Sequence, residues 1–231
     1  MIAIIGAMDS EIEALLQQLK LQKTVTFADK ALYLGVLRGH DVLIAKSGIG
    51  KVNTAMMTTY VLSHYKIDFL INIGVAGGVF GVRVGDLLLA EGICYFDVSL
   101  AEIGDYPYGK MGDDPLIVYP DPGLLEKARK VFAFNKLNYQ SGIIASGDSF
   151  VTALEQIRKI SEVVEGIKAC EMEGMAIGIC CHKLDVPFLS IRGISDLIQK
   201  PGQKATYKTA MKDVAAMTAG AVLFFLEAYR R

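Results

Sequence analysis

Four carboxylates, one guanidinium and one hydroxyl stand where apolar segments of this chain end, the places from which side chains can do chemistry. The run Val186-Pro187-Phe188-Leu189-Ser190-Ile191-Arg192-Gly193-Ile194-Ser195-Asp196 carries a strand-like apolar stretch into Arg192, Ser195 and Asp196. In open α/β sheets, strand ends of this kind deliver ionisable groups to a crevice at the carboxyl edge. Glu171-Met172-Glu173 follows the apolar segment Gly166-Ile167-Lys168-Ala169-Cys170 in the same way. If extended backbone runs on through Glu173, both carboxylates share one face and can accept hydrogen bonds from a vicinal diol such as that of a ribose. An acidic first helical turn, favoured by the helix dipole, explains the same residues equally well. Met8-Asp9-Ser10-Glu11-Ile12-Glu13 forms a third cluster, which also reads as a helix start capped by Asp9 or Ser10.

These groups need a scaffold, and strand and helix signals alternate throughout the chain. The pattern predicts strands over 2–5, 31–37, 41–46, 69–73, 86–95, 140–145, 166–170 and 187–191. It predicts helices over 10–19, 51–64, 123–134, 153–163, 172–182 and 206–229. The expected fold class is α/β, a single domain over residues 1–231 built on a mixed β-sheet flanked by helices. The antiparallel element comes from a hairpin around Arg38-Gly39-His40-Asp41. Residues 96–120, dense in Gly, Pro, Asp and Tyr, form the one long irregular loop, and long loops in compact domains tend to be functional.

Composition narrows the partners. With 24 Lys and Arg against 25 Asp and Glu, the net charge of -1 gives no footprint for nucleic acid or an acidic membrane. Apolar stretches near 70–82 and 214–226 are too short or too Gly-broken to span a bilayer, and the first residues lack a secretory pattern. A soluble, cytoplasmic protein is expected. Cys94, Cys170, Cys180 and Cys181 show no CxxC spacing, so no zinc site or dithiol is expected. Cys180-Cys181-His182 belongs to a predicted helix, where adjacent side chains diverge by about 100°. Neither a metal nor a cofactor is expected.

Two Gly-rich segments have the look of ligand loops. Ser47-Gly48-Ile49-Gly50-Lys51-Val52 lacks both the third Gly of a dinucleotide loop and the Ser or Thr of a P-loop, which favours a purely structural turn. Ile73-Gly74-Val75-Ala76-Gly77-Gly78 reads as a second turn after a buried strand. With no Gly-x-Ser-x-Gly elbow and no evident partner for His40, His64 or His182, the available chemistry is that of carboxylates.

Taken in order, Gly6-Ala7-Met8-Asp9-Ser10-Glu11, Lys46-Ser47-Gly48-Ile49-Gly50-Lys51-Val52-Asn53, Ser146-Gly147-Asp148-Ser149-Phe150, Glu171-Met172-Glu173 and Ile194-Ser195-Asp196 resemble the 5′-methylthioadenosine/S-adenosylhomocysteine nucleosidases of the nucleoside phosphorylase superfamily. The resemblance covers essentially the whole chain, and five ordered motifs are more specific than any one. It implies a nucleoside phosphorylase-like fold and water-driven cleavage of the N9–C1′ bond of an adenine nucleoside. It makes Asp196 the general acid at N7 and Glu11 the general base for water. Glu173 and the Met172 backbone would hold the ribose hydroxyls, with Glu171 and Arg192 orienting them. Phe150 would stack on adenine, the Val151 backbone would meet the base edge, and Ser195 would fix Asp196. Ile49, Val75, Gly77 and Tyr207 would complete the substrate-binding surface. The implied partners are a small-molecule adenine nucleoside and a second copy of the chain in a homodimer.

Several positions depart from the family pattern. Val75 and Ile73 replace hydroxyl residues, Gly193 replaces an Ala and is expected to loosen the strand end, and Tyr207 takes roughly the place of a Phe. The segment from Cys94 to Pro115 is rewritten, which leaves open the 5′ substituent, including 5′-deoxyadenosine and a futalosine-type substrate. A purine or uridine nucleoside phosphorylase and a non-catalytic nucleoside-binding module are the competing readings. Glu11 in the early turn speaks against a phosphate nucleophile, which arginines would have to bind.

Overall fold

The computed structural model describes residues 1–229; positions 230 and 231 of the expected domain lie outside the described residues. In chain order the strands are β1 (Ile2–Gly6), β2 (Lys20–Phe27), β3 (Lys30–Leu37), β4 (His40–Lys46), β5 (Phe69–Gly78), β6 (Leu87–Tyr95), β7 (Ile117–Val118), β8 (Tyr139–Ser146), β9 (Ile167–Glu171) and β10 (Phe188–Leu197). The helices are α1 (Asp9–Leu16), α2 (Lys51–His64), α3 (Pro122–Phe134), α4 (Arg158–Ser161), α5 (Gly174–Lys183) and α6 (Gln203–Ala228).

All ten strands join one sheet in the order β10-β6-β8-β9-β5-β1-β4-β3-β2, with β7 on β6. Because β10 also pairs with β5, strands β10, β6, β8, β9 and β5 close on themselves. β1 pairs in parallel with β4 and β5, and β5 with β10, whereas β2, β3 and β4 pair antiparallel. The sheet is therefore mixed, as expected.

The central strands are apolar on both faces because both are covered. Ile2 and Ile4 face a core shared with α1, α3 and α6, while Ala3 and Ile5 face one shared with α2 and α5. This is the two-residue alternation of a strand cut between two cores. Helix α3 is started by Asp121, whose side chain accepts the Leu124 N–H at 2.8 Å, with Pro122 in the first turn.

Several predicted elements differ in the fold. The helix expected over 10–19 stops at Leu16, and Lys20–Phe27 forms an edge strand whose first five residues are all exposed. Its apolar side is short: Leu21 is exposed, and only Val25 and Phe27, at the far end, pack against the core. The region predicted helical over 153–163 splits into a 3₁₀ turn, Leu154–Ile157, and the single turn of α4. The Ile73–Gly78 segment is no turn; it continues β5 to Gly78. Helix α6 has 26 residues, long and apolar enough by those measures to cross a bilayer, although its 214–226 stretch looked too short for that. Half of the apolar window is buried inside the fold, with Val222, Phe225 and Leu226 in the core.

Gly193 shows why α6 and β10 lie so close. A Cβ there would stand 2.3 Å from Val214 Cγ1 and 2.5 Å from Thr218 Oγ1. The glycine admits the helix against the strand, rather than loosening the strand end.

Candidate active site

A cleft opens where β1, β5, β9 and β10 end. Its wall is assembled from Ala7, Met8 and Glu11 after β1, Val75 to Gly77 on β5, Cys170 to Glu173 at the end of β9, and Ser195 and Asp196 on β10. Ile49 from the β4–α2 turn, Ser149 to Val151 after β8, Ile198 beyond β10 and Tyr207 of α6 complete it. This is the carboxyl-edge crevice expected of such sheets. Every site residue predicted from the sequence lines the cleft except Arg192, which stands behind it.

Glu11 sits in the first turn of α1 and is 2 % exposed. Its Oε2 accepts the N–H groups of Ala7 at 2.7 Å and Met8 at 3.0 Å, and its Oε1 accepts that of Val75 at 2.9 Å. Helix start and β5 are thereby tied through one carboxylate. Burial pushes the Glu11 pKa up; the Arg192 charge and the three N–H donors pull the other way without cancelling the rise.

Arg192 is the largest fully buried side chain, at 1 % exposure. Its Nη2 donates to Glu171 Oε2 and, at 2.9 Å, to Asn72 Oδ1, while Nη1 lies 3.6 Å from Glu173 Oε2. Burial disfavours the cation, but Glu171, Glu173 and Glu11 around it more than offset this and hold its pKa above the ordinary value. Room for the guanidinium comes from Gly74, where a Cβ would stand 2.2 Å from Nη1 and 2.6 Å from Glu11 Oε1. The second Gly segment thus serves the site as a gap in a strand.

Glu171 and Glu173 do not lie on one extended face. β9 ends at Glu171, and Glu173 is the residue before α5, turned so that Glu171 Oε2 accepts the N–H groups of Glu173 at 2.9 Å and Gly174 at 2.7 Å. Glu171 takes up the start of α5, which leaves Glu173 to the cleft. Glu173 Oε1 accepts the Gly50 N–H at 3.0 Å, so the β4–α2 turn supports the site as well as closing the chain. Burial, opposed by Arg192 and reinforced by Glu171, pushes the Glu173 pKa up to about 7.

Asp196 lies inside β10, 1 % exposed, just past a bulge that shifts its pairing with β5. Its Oδ1 accepts from Ser195 Oγ at 2.7 Å and its Oδ2 from Gln203 Nε2 at 2.8 Å. Gln203 was not singled out in the sequence, where a polar residue at a helix start is unremarked. Met8, Ala76, Ile198 and Asn72 were likewise missed.

The aromatic wall pairs Phe150 with Tyr207 edge to face at 5.3 Å, and Phe150 is 41 % exposed. At the rim, Lys51 Nζ bonds both oxygens of Asp97 at 2.7 Å, and the Lys51 N–H donates to Asp148 Oδ1 at 2.8 Å. These bonds pin the loop that carries Phe150. Burial pushes the Cys170 thiol up, away from the thiolate a nucleophile needs. Among the described residues, no group of three or more His, Cys, Asp or Glu side chains is placed to hold a metal ion.

A mixed sheet closing on itself, with acids gathered at its strand ends, defines the class: residues 1–227 match the phosphorylase superfamily model, and the chain is a phosphorylase-superfamily protein. The 5′-methylthioadenosine/S-adenosylhomocysteine nucleosidase of Staphylococcus aureus is 37% identical over 198 residues, spanning 85% of this chain and 86% of that one. The chain belongs to the 5′-methylthioadenosine/S-adenosylhomocysteine nucleosidase family. The Neisseria meningitidis nucleosidase, solved with methylthio-immucillin-A, superposes with TM-score 0.92 at 34% identity, covering 99% of each chain. A futalosine hydrolase of Helicobacter pylori has the same fold, with TM-score 0.92 at 26% identity over 99% of this chain and 97% of that one.

Proposed function

We propose that this protein hydrolyses the N-glycosidic bond of 5′-methylthioadenosine and S-adenosylhomocysteine, releasing adenine and the 5′-substituted ribose. The observation that carries the reading is the convergence on one cleft of Glu11, held by three backbone donors, and Asp196, held by two side-chain donors. Glu11 takes a proton from water, a task its raised pKa suits. Asp196 gives a proton to N7 as the C1′–N9 bond breaks and its electron pair passes to the base. Water oxygen bonds C1′, and solvent later returns the proton from Glu11 to Asp196. Glu173 accepts from the ribose hydroxyls, and its negative charge meets the developing oxocarbenium ion. Phe150 stacks on the base, beside the Val151 backbone.

Water is favoured over phosphate as nucleophile because Arg192 is enclosed by carboxylates and, among the described residues, no arginine lines the cleft to hold an anion. The test is adenine release in phosphate-free buffer from 5′-methylthioadenosine, S-adenosylhomocysteine, 5′-deoxyadenosine and futalosine. Asp196→Asn is expected to lower turnover on an adenosyl substrate by about 10²–10⁴-fold. A strict need for phosphate refutes hydrolysis, and turnover confined to futalosine moves the substrate to that class.

The same reading includes a homodimer. Ile49, Val52 and Met56, 52 %, 80 % and 40 % exposed, form an apolar surface running from the cleft along α2, which a second copy can cover. Light scattering at twice the chain mass is the expected result.

A further inference from the structure

Gln203 belongs to none of the motifs that carry the family resemblance, yet it holds the acid. It is the first residue of α6, follows Gly202 in the left-handed region at φ 77°, is 7 % exposed and does not line the cleft. A primary amide has two N–H hydrogens. Here Nε2 donates to Asp196 Oδ2 at 2.8 Å and to the Val151 carbonyl at 2.8 Å, so both are spent and the direction of each is fixed by the other. The remaining oxygen of Asp196, Oδ1, has the Ser195 hydroxyl at 2.7 Å.

A neutral carboxyl has one acceptor oxygen and one hydroxyl oxygen. The Ser195 hydroxyl can turn to donate to the Ala76 carbonyl at 3.3 Å and accept from Oδ1, whereas an amide N–H only donates, so the fixed N–H on Oδ2 selects that atom as the acceptor and assigns the transferable proton to Oδ1. It also stops the carboxyl group from turning over. When the Oδ1–H bond breaks and N7–H forms, both oxygens become acceptors; Gln203 already supplies one donor, and the Ser195 hydroxyl at 2.7 Å turns to supply the other. The second bond, to Val151, ties this geometry to the backbone next to Phe150, the residue proposed to stack on the base.

We propose that Gln203 is a positioning residue for the proton donor, fixing which oxygen of Asp196 faces the leaving base and linking the acid to the base-binding loop. This rests on the proposed role of Asp196. Gln203→Met keeps the length of the side chain and removes both donors. Two substrates separate its effects: 5′-methylthioadenosine, whose adenine leaves poorly unprotonated, and 4-nitrophenyl 5-methylthioriboside, whose phenolate leaves without an acid.

The expected result is a kcat about tenfold lower on 5′-methylthioadenosine, the worth of one charge-assisted hydrogen bond, with KM within about twofold. Turnover of the nitrophenyl riboside stays within about twofold of the parent, which also shows that the fold is intact. Equal losses on both substrates mean a merely structural residue and overturn the proposal. So does a lower KM with unchanged kcat, which would mean that the amide competes with the base. Unchanged adenine release in Asp196→Asn sinks the acid and the role of Gln203 together. Loss in Asp196→Asn with no effect of Gln203→Met sinks the role of Gln203 alone.

Discussion

Replacing Glu173 by Gln should make this protein more stable at alkaline pH and less active. Burial lifts the Glu173 carboxyl from 4.5 to about 7 in the fold. An acid whose folded pKa is raised binds its proton more tightly when native than when unfolded. Its favourable contribution is complete below pH 4.5 and is lost as pH rises through about 7. At about 1.4 kcal/mol per tenfold change in proton affinity, that rise costs on the order of 3 kcal/mol once the group is forced to ionise. With only 5 % exposure, solvent relieves little of it. Glutamine keeps the acceptor for the Gly50 N–H and cannot ionise. Urea unfolding of both proteins from about pH 4.5 to 8.5 should show the stability difference moving toward the variant by roughly 3 kcal/mol across that range. Contributions from every other titrating group that is unaffected cancel in the difference. Activity should fall in the same variant, because a neutral amide no longer opposes the positive ribose. Parallel pH profiles of stability for the two proteins would refute the reasoning.

Three further substitutions probe the scaffold. Arg192→Met leaves Glu171 and Glu173 buried without their cation and should cost about 3–5 kcal/mol in chemical denaturation; a loss under about 1 kcal/mol would mean that the carboxylates find protons or water instead. Gly74→Ala drives a methyl against Arg192 and Glu11, so thermal stability and turnover should fall together, with about 1–3 kcal/mol lost. Phe150→Ala, on a half-exposed ring, should leave the melting temperature nearly unchanged and weaken adenine binding about tenfold by calorimetry.

Much of the site was readable in the sequence because parallel strands buried on both faces appear as apolar runs, and the residues that end them stand out. Asp196 and Arg192 were visible this way at the end of Phe188–Leu197. The turn at Glu171 was not, since two carboxylates two residues apart fit both a strand and a helix start; Gly174 immediately after them was the available signal. β2 stayed hidden because its first five residues are exposed and only Val25 and Phe27, at its far end, touch the core, too short an alternation to mark a period. Gln203 could not be found at all. Its meaning depends on Val151 and Asp196, 52 and 7 residues away, converging on one nitrogen.

Between the pairs Ile194 with Ala76 and Asp196 with Gly77, β10 carries one residue more than β5. Before that extra residue, the apolar side chains alternate between packing layers: Leu189 and Ile191 face one core, Phe188 and Ile194 the other. After it, the count starts afresh. The slip acts as a phase boundary, separating the longer part of the strand, whose apolar residues fill the interior, from the short end that carries Asp196 to the cleft. A change of one residue beyond it can re-aim the acid without rotating Arg192 away from Glu171 and Asn72, so the chemistry at this edge can drift while the architecture beneath it stays fixed.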